Sequence, residues 1–188
     1  QSEKPVRMNT PSDETILLLM RNRETRERGF TLLMESYKER IYWHIRRLVV
    51  SHDDAEDILQ ETFISAFRHH QSFKGQSRIY TWLYRIATNE CIRFFKKNKK
   101  TNGKAEISAK TGSDMPYNDP GPESHILARF QEAILRLPER QRIVFNLRYY
   151  EDLGYEEMAQ VLDSSVNALK TNYHYACEKV KDYLLIHG

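Results

Sequence analysis

Apolar side chains recur every third or fourth position along most of the chain, the period of one face of an α-helix. Phe30, Leu33, Tyr37, Ile41, Ile45 and Leu48 form one such series, and Ala55, Leu59, Thr62 and Ala66 form another. Alternation at period two, the mark of a half-buried strand, is absent, so the pattern predicts an all-α protein. Ser51 or Asp53 can cap the second of these helices, whose first turn then carries carboxylates that offset the positive end of the helix dipole. From His69 to Arg78 the period breaks at Gly75 and small polar residues. It resumes from Ile79 to Lys100 as a basic, aromatic helix.

Residues 101–122 are rich in Gly, Ser, Asp, Asn and Pro and lack an apolar face, so they read as a flexible linker. They separate two small helical domains, 12–100 and 123–188. In the second, one helix runs up to Leu137 and another starts at Pro138, whose fixed φ suits a first helical turn. Leu153 and Gly154 then introduce a short helix, Tyr155 to Leu162; Asp163, Ser164 and Ser165 turn; and a longer helix begins at about Ser165. Short helix, tight turn and longer helix make a helix-turn-helix, although such pairs also occur as packing units. In the longer helix Val166, Leu169, Tyr173, Ala176, Val180 and Leu184 form the buried stripe. Asn167, Lys170, Thr171, His174 and Glu178 lie opposite, where they can enter a DNA groove.

The 188 residues suffice for one ordinary domain or two small ones. The longest apolar run near the start, Ile16 to Met20, is far shorter than a membrane span. A soluble, cytoplasmic protein without membrane insertion is expected. Cys91 and Cys177 stand alone, with no metal or disulfide spacing. Residues 1–7 are left out of the fold argument. Net charge is +3, but residues before Glu123 carry +5 and the remainder −2. Locally the contrast is sharper. Asp53 to Glu61 holds five acids and no base, whereas Thr62 to Lys104 holds ten Lys or Arg against Glu90 alone. A cationic window interleaved with aromatics attracts a polyanion.

Helix capping accounts for Asp53, Asp54 and Glu56. Asp57 and Glu61 lie past the first turn, on one stripe with Asp54 and Gln60, and need another role. The letters DDAED match the DDxxD pattern by which all-helical isoprenoid synthases hold Mg²⁺, but no facing helix supplies a second carboxylate motif. Glu156 and Glu157 sit instead at the mouth of the helix-turn-helix. No serine elbow, phosphate loop or HExxH motif appears, and His69 and His70 point to different helical faces. The sequence therefore predicts no catalytic residue, metal or cofactor, and not an enzyme. In the basic helix and the segment before it, Phe73, Lys74, Arg78, Tyr80, Trp82, Arg85 and Asn89 interleave cations with aromatic and amide side chains, which favours nucleic acid as the partner. Trp82 is open between this role and the core. A stand-alone helix-turn-helix regulator would explain the second half alone.

Both halves match one family. "DAEDILQETFISAFR", "F-KGQS" and "TWLYRIATNECI" in the first half, and "LPERQRIVFNLRYYEDLGYEEMAQVLDSSVNALKTNYHYA" in the second, resemble the small extracytoplasmic-function (ECF) sigma factors of the sigma-70 family. The resemblance runs from about Ser12 to Leu185. It implies a sigma-2 domain, a linker and a sigma-4 domain, and a protein that binds core RNA polymerase, brings it to a promoter and helps open the DNA. It implies contact with the β′ coiled coil through Asp54, Asp57, Gln60 and Glu61, with the β subunit, and with an anti-sigma factor. It places minus-ten recognition on Phe73, Lys74, Arg78, Tyr80, Trp82, Arg85 and Asn89, and minus-thirty-five recognition on Asn167, Lys170, Thr171 and His174. Phe63 and Phe67 are expected to pack in the core. The chain departs from the family at Ala168, Asn172 and Tyr175, where Thr, Arg and Arg are usual, and at Arg93, where Asp is common. These changes bear on promoter sequence and phosphate contacts.

Overall fold

The computed structural model describes residues 11–73, 75, 77–101 and 122–187. Among them there are eight α-helices, a 3-10 turn and no strand. The first half contains α1 (Asp13–Arg21), α2 (Arg26–Val49), α3 (His52–His69), the turn His70–Ser72 and α4 (Ile79–Thr101); the second contains α5 (Pro122–Leu135), α6 (Glu139–Tyr149), α7 (Tyr155–Leu162) and α8 (Val166–His187). The expected linker falls almost entirely outside the described residues.

Local chemistry sets the helix boundaries. Ser12 and Ser51 accept the Thr15 and Asp54 amides at 3.2 and 3.3 Å, capping α1 and α3. Between α2 and α3 the chain reverses through a γ-turn: Val50 has φ 68°, and the Ser51 amide donates to the Val49 carbonyl at 2.8 Å. A β-branched residue in that region costs about 1–3 kcal/mol, so the surrounding packing must hold it. Pro138 is the residue before α6 rather than within its first turn. Asp163 ends α7 in the left-handed conformation that a short polar side chain tolerates. At Gly29 a Cβ would lie 2.7 Å from the Met20 backbone nitrogen, so the crossing of α1 and α2 requires glycine there.

The predicted apolar stripes are inside. Leu33, Ile41, Ile45 and Leu48 of α2 meet Ala55, Leu59 and Ala66 of α3 and Leu83, Ala87 and Cys91 of α4. The same core continues into the second half through Ile143, Val144 and Leu147 of α6 and Met158 and Val161 of α7. A second, smaller core of Ala133, Ile134, Leu137, Phe145, Ala176 and Val180 joins α5, α6 and α8. In α6 every residue from Arg142 to Leu147 is buried, because one side faces its own half and the other faces α2 and α4.

His44 is wholly buried in the first core, where one ring nitrogen shares a 3.0 Å hydrogen bond with Thr88. Burial drives its pKa from 6.5 down to about 3, so the ring is neutral in the fold. Between those two values the unfolded chain holds a proton that the folded chain does not. Stability should therefore fall as pH drops from about 6.5 toward 3, with a slope approaching 1.4 kcal/mol per pH unit from this group. His44→Gln can keep the Thr88 contact without titrating. Urea unfolding across that range should show a shallower acid decline for the variant, and equal slopes would contradict the assignment.

Candidate nucleic-acid and protein interfaces

The γ-turn at Val50 starts α3 directly after α2 and turns its acids outward. Asp57, Gln60 and Glu61 are exposed and Asp54 is half-buried. None of these four side chains makes a hydrogen bond or ion pair among the described residues. One turn further along the same face, Ile64 and Phe67 are 40% and 46% exposed. Phe63 is buried as expected, but Phe67 is not. Its ring lies 4.8 Å from that of Phe30 and 6.2 Å from that of His70, with nearly half of the residue exposed. The exposed stripe thus combines carboxylates, an amide and two apolar side chains, the composition of a protein-binding surface for a basic, partly apolar partner.

The basic helix α4 presents a different face. Arg85 and Asn89 are exposed and Trp82 is half-buried. The Trp82 ring lies 5.0 Å from that of Phe73, tilted by 37°. Phe73 is only 8% exposed, which makes it a support for Trp82 rather than a stacking surface itself. Lys74 lies outside the described residues. Arg78 donates to the Tyr80 hydroxyl at 3.1 Å, and Tyr80 in turn donates to Glu157 of α7. The structure thus brings Phe73 with Trp82 and Arg78 with Tyr80, and it ties the latter pair to the second half.

In the second half α7, a tight turn and α8 follow one another and pack together as a helix-turn-helix. The Gly154 amide donates to Glu157 at 3.0 Å to start α7, and Ser165 accepts the Ala168 amide at 3.2 Å to start α8. Leu169, Ala176 and Val180 face inward, whereas Asn167, Lys170, Thr171 and His174 are exposed on the opposite side. Lys170 sits 5.6 Å above the Tyr155 ring. Thr171 bonds back to the Asn167 carbonyl at 3.0 Å, and His174 lies 3.6 Å from Glu178. Asn172, standing where an arginine is usual, turns its amide back onto the Ala168 carbonyl at 2.8 Å. It offers no long cation to a phosphate.

Comparison with known proteins fits this arrangement. The family model for Sigma-70 region 2 matches residues 33–101, and that for Sigma-70, region 4 matches residues 127–180. The chain is 33% identical to the ECF RNA polymerase sigma factor SigW of Bacillus subtilis, over 83% of this chain and 89% of that one. It is 30% identical to the ECF RNA polymerase sigma-E factor of Haemophilus influenzae, over 88% and 92%. The chain belongs to the ECF sigma factors.

This sigma factor is a transcription initiation factor that directs RNA polymerase to promoters. Its fold resembles that of CnrH, solved in complex with the cytosolic domain of CnrY (TM-score 0.68, 20% identity, 94% of this chain and 99% of that one). It also resembles the sigma factor RpoE from Bartonella quintana, solved in complex with the anti-sigma factor NepR (TM-score 0.65, 22% identity, 84% and 97%). No helix among its described residues is long and apolar enough to cross a membrane.

One group of residues carries no signal in the sequence. Glu151, between α6 and α7, has a side chain only 4% exposed and directed into the first half. Arg47 donates to its carboxylate at 2.8 Å, Arg40 approaches at 3.6 Å, and the Tyr84 hydroxyl donates to the second oxygen. The Arg47 guanidinium also lies 4.4 Å from the Tyr150 ring. Lys99 reaches Glu139 at 2.6 Å, and Arg142 packs its guanidinium 5.3 Å from Phe95. A cluster of Arg and Tyr in α2 and α4 facing one lone acid leaves no mark at short sequence spacing.

The cap of α8 can be tested by itself. Ser165→Ala should lower stability by about 1 kcal/mol, as loss of an N-cap oxygen does. The denaturant midpoint should shift while the dependence on denaturant concentration stays constant. An unchanged midpoint would mean that Ser165 does not cap α8.

Proposed function

We propose that this sigma factor divides its work among three faces. The stripe of Asp54, Asp57, Gln60 and Glu61 on α3 docks on the β′ coiled coil of core polymerase, with Ile64 and Phe67 adding apolar contact. The face of α4 around Trp82, Arg85 and Asn89, extended by Arg78, Tyr80 and Lys74 and braced by Phe73, captures the opened minus-ten strand and so helps melt the duplex. Asn167, Lys170, Thr171 and His174 on α8 read the minus-thirty-five element in the major groove. Residues 12–100 act as the sigma-2 domain, 101–122 as the connection and 123–188 as the sigma-4 domain, which also meets the β subunit. The protein works in the cytoplasm, without a catalytic site or cofactor, and an anti-sigma factor restrains it, as the solved complexes of its structural relatives suggest.

The observation that carries the reading is the α3 stripe. Asp57 and Glu61 stand past the capping turn, have no partner among the described residues, and continue into exposed apolar side chains. A solvated helix face explains the charges but not Ile64 and Phe67 beside them. The face of α4 supports the second role because a half-buried tryptophan beside exposed Arg and Asn side chains, none of them hydrogen-bonded among the described residues, suits stacking on an unpaired base.

Asp57→Ala combined with Gln60→Ala should weaken assembly with core polymerase without changing helix content, measured by competition against a labelled sigma factor. Lys170→Ala and His174→Ala should weaken recruitment to promoters that depend on the minus-thirty-five element, by roughly 1–3 kcal/mol for each side chain that hydrogen-bonds a base edge. Trp82→Ala and Asn89→Ala should leave recruitment largely intact and reduce permanganate reactivity of unpaired thymines. Equal defects from all four in both assays would argue against the division.

A further inference from the structure

Three helical faces meet away from the surfaces assigned above to core polymerase and DNA. On α2, Trp43, Arg46, Arg47 and Val50 recur at the three- and four-residue spacing of one helix face. On α5, Ala128, Gln131, Glu132 and Leu135 recur in the same way. Asn146 of α6 and Tyr150, just past its end, lie one turn apart. Helix α6 packs against both α2 and α5. The space left at this corner is a cavity of about 580 Å³ that all these residues line, together with Ile134. Its size is that of a site for a small organic molecule and far exceeds what one bound water needs.

The lining has three chemical parts. Trp43 and Tyr150 give flat surfaces, and Val50, Ile134 and Leu135 give apolar ones. The charges are not equally available. Arg47 donates to Glu151 at 2.8 Å, and Glu132 is paired with Arg136 at 2.8 Å. Arg46 and Arg129 line the same cavity, and neither side chain makes a hydrogen bond or ion pair among the described residues. Asn146 is only 1% exposed, and its Nδ2 donates to the Arg142 carbonyl at 2.8 Å, which leaves Oδ1 buried without a partner. Turning the amide over would set oxygen against oxygen, so the unsatisfied group is an acceptor. Buried acceptors are nearly always satisfied in folded proteins, and the cavity that Asn146 lines is where a donor can enter. We infer that this cavity is a binding site for a small aromatic acid. Its ring system lies against Trp43 and Tyr150, its acid group meets Arg46 and Arg129, and an N–H or O–H on the ring donates to Asn146 Oδ1. Such an occupant touches α2 of the first half and α5 and α6 of the second, so its concentration is coupled to the association of the halves.

The test titrates the full chain with anilinonaphthalene sulfonate, a fluorescent probe that carries aromatic rings, an acid group and an N–H. Its emission should report one saturable site per chain. Arg46→Glu and Arg129→Glu should each weaken that site roughly tenfold, since each replaces an attraction by a repulsion at a partly exposed position. Asn146→Leu, which removes the acceptor, should weaken it by a similar factor. Ala128→Trp fills the cavity from an exposed position of α5, so it should abolish binding with helical circular dichroism unchanged. Phenylnaphthylamine keeps the rings and the N–H but lacks the acid; it should bind about tenfold more weakly, because it forgoes the charge contacts, and should be indifferent to both arginine substitutions. Uptake of several probe molecules per chain, or an affinity that Ala128→Trp leaves unchanged, would put the probe on exposed apolar surface and overturn the inference. Equal affinity for the uncharged analogue would overturn it as well, because the cavity would then not recognise an acid.

Discussion

A buried carboxylate between two domains is stable only in company, and Glu151 has it on three sides. Most of the architecture can be followed outward from that point. Arg40 and Arg47 lie about two turns apart on one face of α2, the helix that turns at Val50 into the acidic start of α3. Tyr84 lies on α4, one turn past Tyr80 and in line with it. Glu151 itself occupies the connection between α6 and α7, so holding it fixes the first helix of the helix-turn-helix against α4. The apolar core beneath runs without interruption from Ile45 and Leu83 to Ile143 and Met158. Two units that look independent along the sequence therefore share one interior.

Charge organises the outer surface by the same logic. The first half carries a net +5 and the second −2, and the acid-to-base contacts across the seam, Glu151 with Arg47 and Glu139 with Lys99, run in the direction that this difference favours. The acids of α3 are the exception within the positive half. They gather on one face, away from the cations of α4. A protein partner and a nucleic-acid partner can then occupy one small domain without competing for sign. On α8 the polar face is weakly cationic, and Asn172 folds back onto its own helix. Sequence-independent affinity for DNA comes from phosphate contacts, and a half with a net −2 has few cations to make them.

Much of this was legible in the sequence, because periodicity and capping act locally. The stripes of α2, α3 and α8 face inward as their spacing requires, with Tyr37, Val166, Tyr173 and Leu184 only half-buried, and α7 occupies Tyr155 to Leu162 because Gly154 opens it and Asp163 ends it in a left-handed turn. Phe67 departs from the expected core position: it lies at the margin of the buried arc of α3, where spacing alone cannot tell a packed ring from one leaning on a neighbour. Glu151 was invisible because its partners Tyr84, Arg47 and Arg40 are 67, 104 and 111 residues away. A signal for the shared core did exist. In "RIVFNL" of α6, apolar residues point in every direction, which a helix packed on one side only does not need.

The central claim is that this chain gives promoter specificity to RNA polymerase as one copy with two coupled readers. Run-off transcription from a pool of promoter fragments, with purified core polymerase and with this protein added or withheld, tests it most directly. Transcripts with defined start sites should appear only when both are present and should saturate at one copy of this protein per core enzyme. Failure to initiate with core, together with a two-fold symmetric footprint from the protein alone, would contradict the account and mark a stand-alone regulator instead.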